Sequence, residues 1–314
     1  MKALELLCAW LVGVLALATL TGQKTSAADV SNGLFARTNL AAWCIVPFDA
    51  KKRGPEERAA MLERLGFKLF AYDYRAEQIP TFDAEMDALK RHGVTLLAWW
   101  FPTTMNDEAR LILNVLKRQK LKAQLWVMGA GTPTKTPEEQ KLRVQAEAKR
   151  IQPIAEEAAK IGCTVALYNH ENWFGEPENQ IQIIEQLKAQ GVSNVGIVYN
   201  LHHGHGHLDR FPALLQAMKP YLVALNLNGM TKNGDKTGKK ILPLGQGELD
   251  LALLKTIRDS GWRGPIGILN HTDEDAEARL RDNLEGLDWL SLQLEGKPAG
   301  PKLKPRSWHD AAPR

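Results

Sequence analysis

The chain has 314 residues, 44% of them hydrophobic and 24% charged, with a formal net charge of +4. That much apolar material excludes disorder over most of the length, and three cysteines exclude a disulfide-stapled scaffold. The basic balance would point to nucleic acid only if it sat on the folded body.

Residues 1–28 read as a secretory signal: Lys2 opens it, an apolar run fills 6–20, and Thr25-Ser26-Ala27-Ala28 offers small residues for cleavage. The expected location is therefore exported, periplasmic or secreted, with no membrane attachment after cleavage. The alternative is an uncleaved N-terminal anchor. Cleavage removes Cys8 and leaves Cys44 and Cys163, read as two buried thiols with their pairing open. At the other end, residues 297–314 hold Lys297, Lys302, Lys304, Arg306 and Arg314 among four prolines, and read as a basic, flexible tail. The signal carries +1 and this tail +4, so the middle is close to neutral. A neutral body argues against a nucleic-acid partner.

Between the ends, apolar β-rich runs alternate with amphipathic helical runs. Predicted strands lie at 40–47, 68–74, 95–101, 123–128, 166–169, 195–200, 222–228 and 265–270. Predicted helices lie at 55–65, 82–91, 107–119, 137–161, 177–189, 211–218, 251–259 and 276–294. Eight such units imply a parallel sheet covered by helices, and in this length they fit one α/β domain, a single (β/α)8 TIM barrel over 33–296. No G-x-G-x-x-G follows the first strand, so a dinucleotide-binding open sheet has no support.

In such a barrel the chemistry sits at the C-terminal ends of the strands. Six of the eight histidines fall there: His170, His202, His203, His205, His207 and His271. Aromatic residues gather at the same level, among them Trp100, Trp126 and Tyr168. Strand alternation lets only one of Trp99 and Trp100 face inward. Amides end several strands: Asn169, Asn200, Asn226, Asn228 and Asn270. Aromatic faces with amides suit a small carbohydrate, so these residues and Asp73 are the candidate ligand contacts. Glu171 is the candidate base. The run from His202 to His207 reads either as a metal site or as a glycine-rich loop of solvated histidines. The turn Leu244-Gly245-Gln246-Gly247-Glu248-Leu249-Asp250 reads as a plain tight turn, with a phosphate cradle as the alternative.

The segments Tyr168-Asn169-His170, Asn200-Leu201-His202-His203, Asn226-Leu227-Asn228, 244–250 and 264–270 together resemble the xylose-isomerase-like TIM barrels. That group holds sugar isomerases and epimerases and the AP-endonuclease type, and the resemblance spans 40–294. It implies a divalent metal held by a glutamate, an aspartate, a histidine and a second glutamate on strands five to eight. This chain has Tyr168, Asn200, Asn226 and Asn270 at those positions, and keeps only His203 nearby. Uncharged amides are poor partners for a hard cation. Three outcomes follow: a site that only binds ligand, a softer metal on His170, His203 and His271, or metal-free acid–base chemistry by His170, Glu171, Tyr168 and His203. The resemblance thus implies a sugar isomerase or epimerase acting by proton abstraction beside a carbonyl. A non-catalytic carbohydrate-binding barrel is the alternative.

Overall fold

The structure, a computed structural model, describes residues 33–306. The signal segment 1–28 and the last residues of the basic extension lie outside the described residues. Eight parallel strands close on themselves in sequence order. They are β1 (Leu40–Trp43), β2 (Leu69–Tyr72), β3 (Thr95–Phe101), β4 (Gln124–Val127), β5 (Thr164–Tyr168), β6 (Val195–Asn200), β7 (Leu222–Leu227) and β8 (Ile266–Leu269). One long helix follows each strand: α1 (Pro55–Leu65), α2 (Phe82–Arg91), α3 (Asp107–Arg118), α4 (Pro137–Lys160), α5 (Pro177–Ala189), α6 (Phe211–Met218), α7 (Asp250–Asp259) and α8 (Ala276–Leu294). The seam is closed by β1 against β8, with Leu40 level with Ile266 and Trp43 with Leu269.

Local chemistry fixes these bounds. Pro55 needs no N–H donor in the first turn of α1, and Gly66 ends that helix at φ 79°. The Thr136 hydroxyl accepts from the Glu139 N–H to start α4, and Asp275 does the same for α8. Strand β1 is shorter than the predicted 40–47 because Cys44 turns the backbone to φ 57°.

Two apolar layers form. Outward side chains such as Phe70, Tyr72, Trp99, Leu125, Leu167 and Ile197 pack under the helices. Inward ones form a separate cluster of Trp43, Ala71, Ala98, Trp126, Ala166, Tyr168, Val198, Ala224 and Leu269. Small residues on β2, β3, β5 and β7 leave room for the large rings. Trp43 lies 4.0 Å from Trp126 between ring centroids, and Trp100 meets Trp126 edge-on at 4.7 Å. Trp99 faces outward against Tyr72 and Phe82, so Trp100 is the inward member of that pair.

Gly267 completes this fit. A Cβ there would lie 2.4 Å from Trp43 Cε3 and 2.7 Å from Asn226 Oδ1. Gly267→Ala is expected to push Trp43 off its seat and cost about 1–3 kcal/mol. Urea unfolding followed by tryptophan emission checks this, and an unchanged midpoint and spectrum would contradict it.

Cys163 precedes β5 and Cys44 follows β1, so the two thiols lie at opposite ends of the barrel, each buried and free. Residues 297–306 add no helix or strand, yet they lie along α8 instead of in free solution. Arg306 pairs with Asp282 at 2.7 Å and with Glu285, and Gln246 donates to the Leu303 carbonyl. The two acidic side chains on α8 draw in the basic extension expected to be free.

Candidate active site

The inward end of β5, β6 and β7 is a chain of hydrogen bonds. Asn200 Oδ1 accepts from the His202 backbone N–H at 3.0 Å, which fixes how the amide points. Its Nδ2 must then donate, and it donates to the Tyr168 hydroxyl at 2.7 Å. Asn226 Nδ2 donates to Asn200 Oδ1, also at 2.7 Å. One backbone donor thus orients three side chains. Two functions are left over and face the barrel interior: the Tyr168 O–H proton, and Asn226 Oδ1, which is buried without a partner. Burial and the nearby Cys44 thiol push the Tyr168 phenol well above its ordinary range, so it stays protonated.

The other amides have different work. Asn169 holds the Asn200 backbone, accepting from its N–H at 2.7 Å and donating to its carbonyl at 3.1 Å, which clips β5 to β6. Asn228 donates to the Gly229 carbonyl and steadies its own loop. Asn270 donates to the Phe48 carbonyl of the β1–α1 loop, while Leu269 takes the inward position on β8. Of the four positions that replace the family's metal ligands, three come together and Asn270 stands apart.

Imidazoles ring the mouth above this chain. His170 and His203 are 4.4 Å apart between centroids, His203 and His202 4.3 Å, and His202 and His271 5.2 Å. His271 stacks on Phe48 at 3.9 Å. Burial depresses His203 to about 3 and His271 to about 4, and pushes His202 well down. Neighbouring imidazoles and Lys240 add to the effect on His203. His202, His203 and His271 are neutral at pH 7.

A neutral folded imidazole binds fewer protons than the unfolded chain below pH 6.5, so its stabilising contribution is full above that pH and is lost as pH falls toward the folded value. The melting temperature is expected to fall between pH 6.5 and 4, and His203→Asn to blunt that fall. A flat Tm across the window would contradict the buried neutral cluster.

Neither donor set suits a metal. Asn200 Oδ1 already accepts two hydrogen bonds, and Tyr168, Asn226 and Asn270 bring no negative charge. His170, His203 and His271 do not gather as ligands, because His271 turns to Phe48 and His202. Among the described residues no group of three or more His, Cys, Asp or Glu is arranged to hold an ion.

Glu171 is half-exposed and bonded to Lys240 Nζ at 2.9 Å, with His203 Nδ1 at 3.5 Å. The Lys240 bond holds its carboxyl below the usual range, so it is a weak base. The pair ties the β5 loop to the β7 loop, where Ile241, with Phe48 and Met128, packs on the inner cluster and covers it. His205 and His207 serve structure: His205 bonds the Lys240 carbonyl, and His207 bridges Tyr199 and Glu176. In the glycine turn, Asp250 takes the Gly245 and Gly247 N–H groups at 2.8 and 3.0 Å, so no phosphate cradle remains.

Two inward residues were not anticipated. Trp43 fills the barrel against Gly267, and the signal was the small residues facing inward on neighbouring strands. Gln124 spans the barrel floor, donating to the Val223 carbonyl at 3.1 Å and accepting from Trp126 Nε1 at 2.9 Å. A glutamine beginning a strand gave no such signal.

The closed ring of eight parallel strands, each followed by a helix, defines a single (β/α)8 TIM barrel, with a polar chain at the ends of β5, β6 and β7. The chain belongs to the xylose isomerase-like TIM barrel family, whose sequence profile matches residues 57–291. No curated protein sequence matches the chain. Among solved structures, the IOLI protein with a bound zinc atom is similar, with a TM-score of 0.63, 14% identity and coverage of 82% of this chain and 99% of that one. A 3-keto-D-glucoside 4-epimerase from E. coli has a TM-score of 0.58 and 16% identity, covering 81% and 98%. D-Psicose 3-epimerase with D-tagatose, from Clostridium cellulolyticum H10, has a TM-score of 0.56 and 13% identity, covering 82% and 99%. At these identities the likeness is one of fold.

Proposed function

We propose that this barrel is an exported sugar isomerase or epimerase that removes a proton from the carbon beside a carbonyl. The single observation behind this reading is the Tyr168–Asn200–Asn226 chain, which leaves a phenol O–H aimed inward among aromatic rings. A carbonyl oxygen gains negative charge as its neighbouring carbon loses a proton, and a fixed, dehydrated O–H donor stabilises that charge more than it stabilises the ground state. Trp100, the partly buried ring packed on the inner cluster, offers a face for the apolar C–H side of a sugar. Structurally similar proteins described with D-tagatose and D-allulose support a small carbohydrate as ligand. Export rests on the residues 1–28, and sequencing the exported protein is expected to find Asp29 at its N-terminus.

A second reading, carbohydrate binding without chemistry, is favoured by Glu171 being tied to Lys240. The two separate in heavy water. Ketoses and aldoses are incubated with the mature protein, binding is followed by tryptophan emission, and deuterium at the carbon beside the carbonyl is read by NMR. Exchange supports the enzyme. A sugar that binds and never exchanges leaves the binding protein.

A further inference from the structure

Among the described residues, three buried acids lie on this end of the barrel; Asp49 is held by Arg53 and Asp250 by backbone N–H groups, whereas Asp73, at 1% exposure, has no such set of partners. It follows β2, where Ala71 faces inward and Tyr72 outward, so alternation turns Asp73 back to the interior. Its Oδ1 accepts one long bond from the Val46 N–H at 3.4 Å, and its Oδ2 is buried and accepts nothing. A dry carboxylate with an empty oxygen is costly to keep, so it is a group set aside to take a proton or a donor.

The charged and titratable groups around it do not neutralise it. Arg75, two residues on, gives its guanidinium to the Asp73 and Tyr74 carbonyls. Arg58 of α1 is committed to Glu85 and to the Arg53 carbonyl. From β1, Cys44 lies beside the carboxyl, and burial followed by Asp73 itself pushes that thiol well up. Tyr168 of β5 feels both Cys44 and Asp73, so the ends of β1, β2 and β5 share one polar cluster. Tyr72 on the same strand faces away. Burial is the dominant influence on Asp73 and lifts it to about 7, against the opposing pull of Arg75.

We propose that Asp73 is the base of this site, taking the proton from the sugar carbon beside the carbonyl while Tyr168 holds the carbonyl oxygen. The inference rests on the sugar-isomerase reading above and specifies it. Asp73 accepts the proton as the C–H electron pair forms the enediol double bond. The carbonyl π pair moves to oxygen, where the Tyr168 O–H stabilises the charge. In the second half, Tyr168 passes its proton to that oxygen as it takes the proton of the neighbouring hydroxyl, whose electrons form the new carbonyl. The double-bond pair then recovers the proton from Asp73 at the adjacent carbon. Both side chains end as they began, and no metal or oxidant enters. A single base returns the proton to the face it left. The reaction class is therefore aldose–ketose isomerisation, not epimerisation, which needs a second group on the opposite face.

The test uses the mature protein in heavy water with D-allulose, D-tagatose and their aldose partners. Wild type is expected to interconvert aldose and ketose with deuterium at the reacting carbons and without epimer. Asp73→Asn is expected to lose 10²- to 10⁴-fold in kcat while still quenching tryptophan emission on sugar binding. The wild-type kcat/KM is expected to rise with pH through about 7, since the base must be ionised. An Asp73→Asn variant exchanging at the wild-type rate, or an epimer as product, overturns the assignment while leaving the general function standing. If the variant does not fold, a flat wild-type profile from pH 5.5 to 8.5 overturns it. Absence of exchange in wild type with every sugar sinks this inference together with the reading beneath it.

Discussion

Removing Arg58 is expected to cost about 3–5 kcal/mol and to lower Tm by roughly 6–20 °C. The guanidinium and the Glu85 carboxylate form a pair between α1 and α2, with side-chain exposures of 4% and 0%. The Arg58 guanidinium also donates to the Arg53 carbonyl at 2.5 Å. Arg53 in turn grips Asp49 at 2.8 Å and Asp275 at 2.7 Å, which joins the β1–α1 loop to the start of α8 across the barrel seam. Arg58→Met strands Glu85, whose carboxyl burial already pushes upward, so the carboxyl must stay protonated or drag in water. Replacing both, Arg58→Met with Glu85→Leu, is expected to recover most of the loss, because two apolar chains of similar volume need no partner. Urea unfolding of the single and double variants measures this. A single variant within about 1 kcal/mol of wild type would contradict the buried pair.

Asn200→Asp is expected to leave the fold intact and lower sugar turnover by about 10²-fold. The shape is the same and the hydrogen-bond direction is not. A carboxylate at this position still accepts from the His202 N–H and from Asn226 Nδ2, but it cannot donate to Tyr168. The phenol proton then turns to the carboxylate, a strong charge-assisted bond, and is no longer presented to a carbonyl oxygen. Asn200→Ser, which can both donate and accept, is expected to lose less. Equal activity in the aspartate variant would show that the Tyr168 proton does not act on the substrate.

Period and punctuation carried the fold. Runs such as 95–101 and 195–200 are apolar on both faces, as strands buried on both sides must be, and Pro55, Pro137 and Pro177 open helices where they were expected. Tyr168, Asn200 and Asn226 were legible as neighbours because the unit count puts each at the end of an adjacent strand. Their mutual bonding was not, since the direction of each amide depends on the His202 backbone N–H. Asn169 and Asn228 read as ligand contacts because a strand-end amide looks the same whether it faces a sugar or a backbone. The histidine run left a metal site and a solvated loop both open for a similar reason: composition gives no ring orientation, and the rings pack tilted or edge to face. Asp73 read as a ligand contact because sequence does not report that Arg75 and Arg58 are engaged elsewhere, leaving its carboxyl dry and unpaired.

This member of the family is expected to do carbonyl chemistry without the family's charged metal site. The most direct measurement is the rate of deuterium uptake beside the sugar carbonyl, before and after exhaustive chelation and again with added Mn²⁺ or Zn²⁺. One rate is expected in all three conditions. A rate abolished by chelation and restored by metal would contradict it.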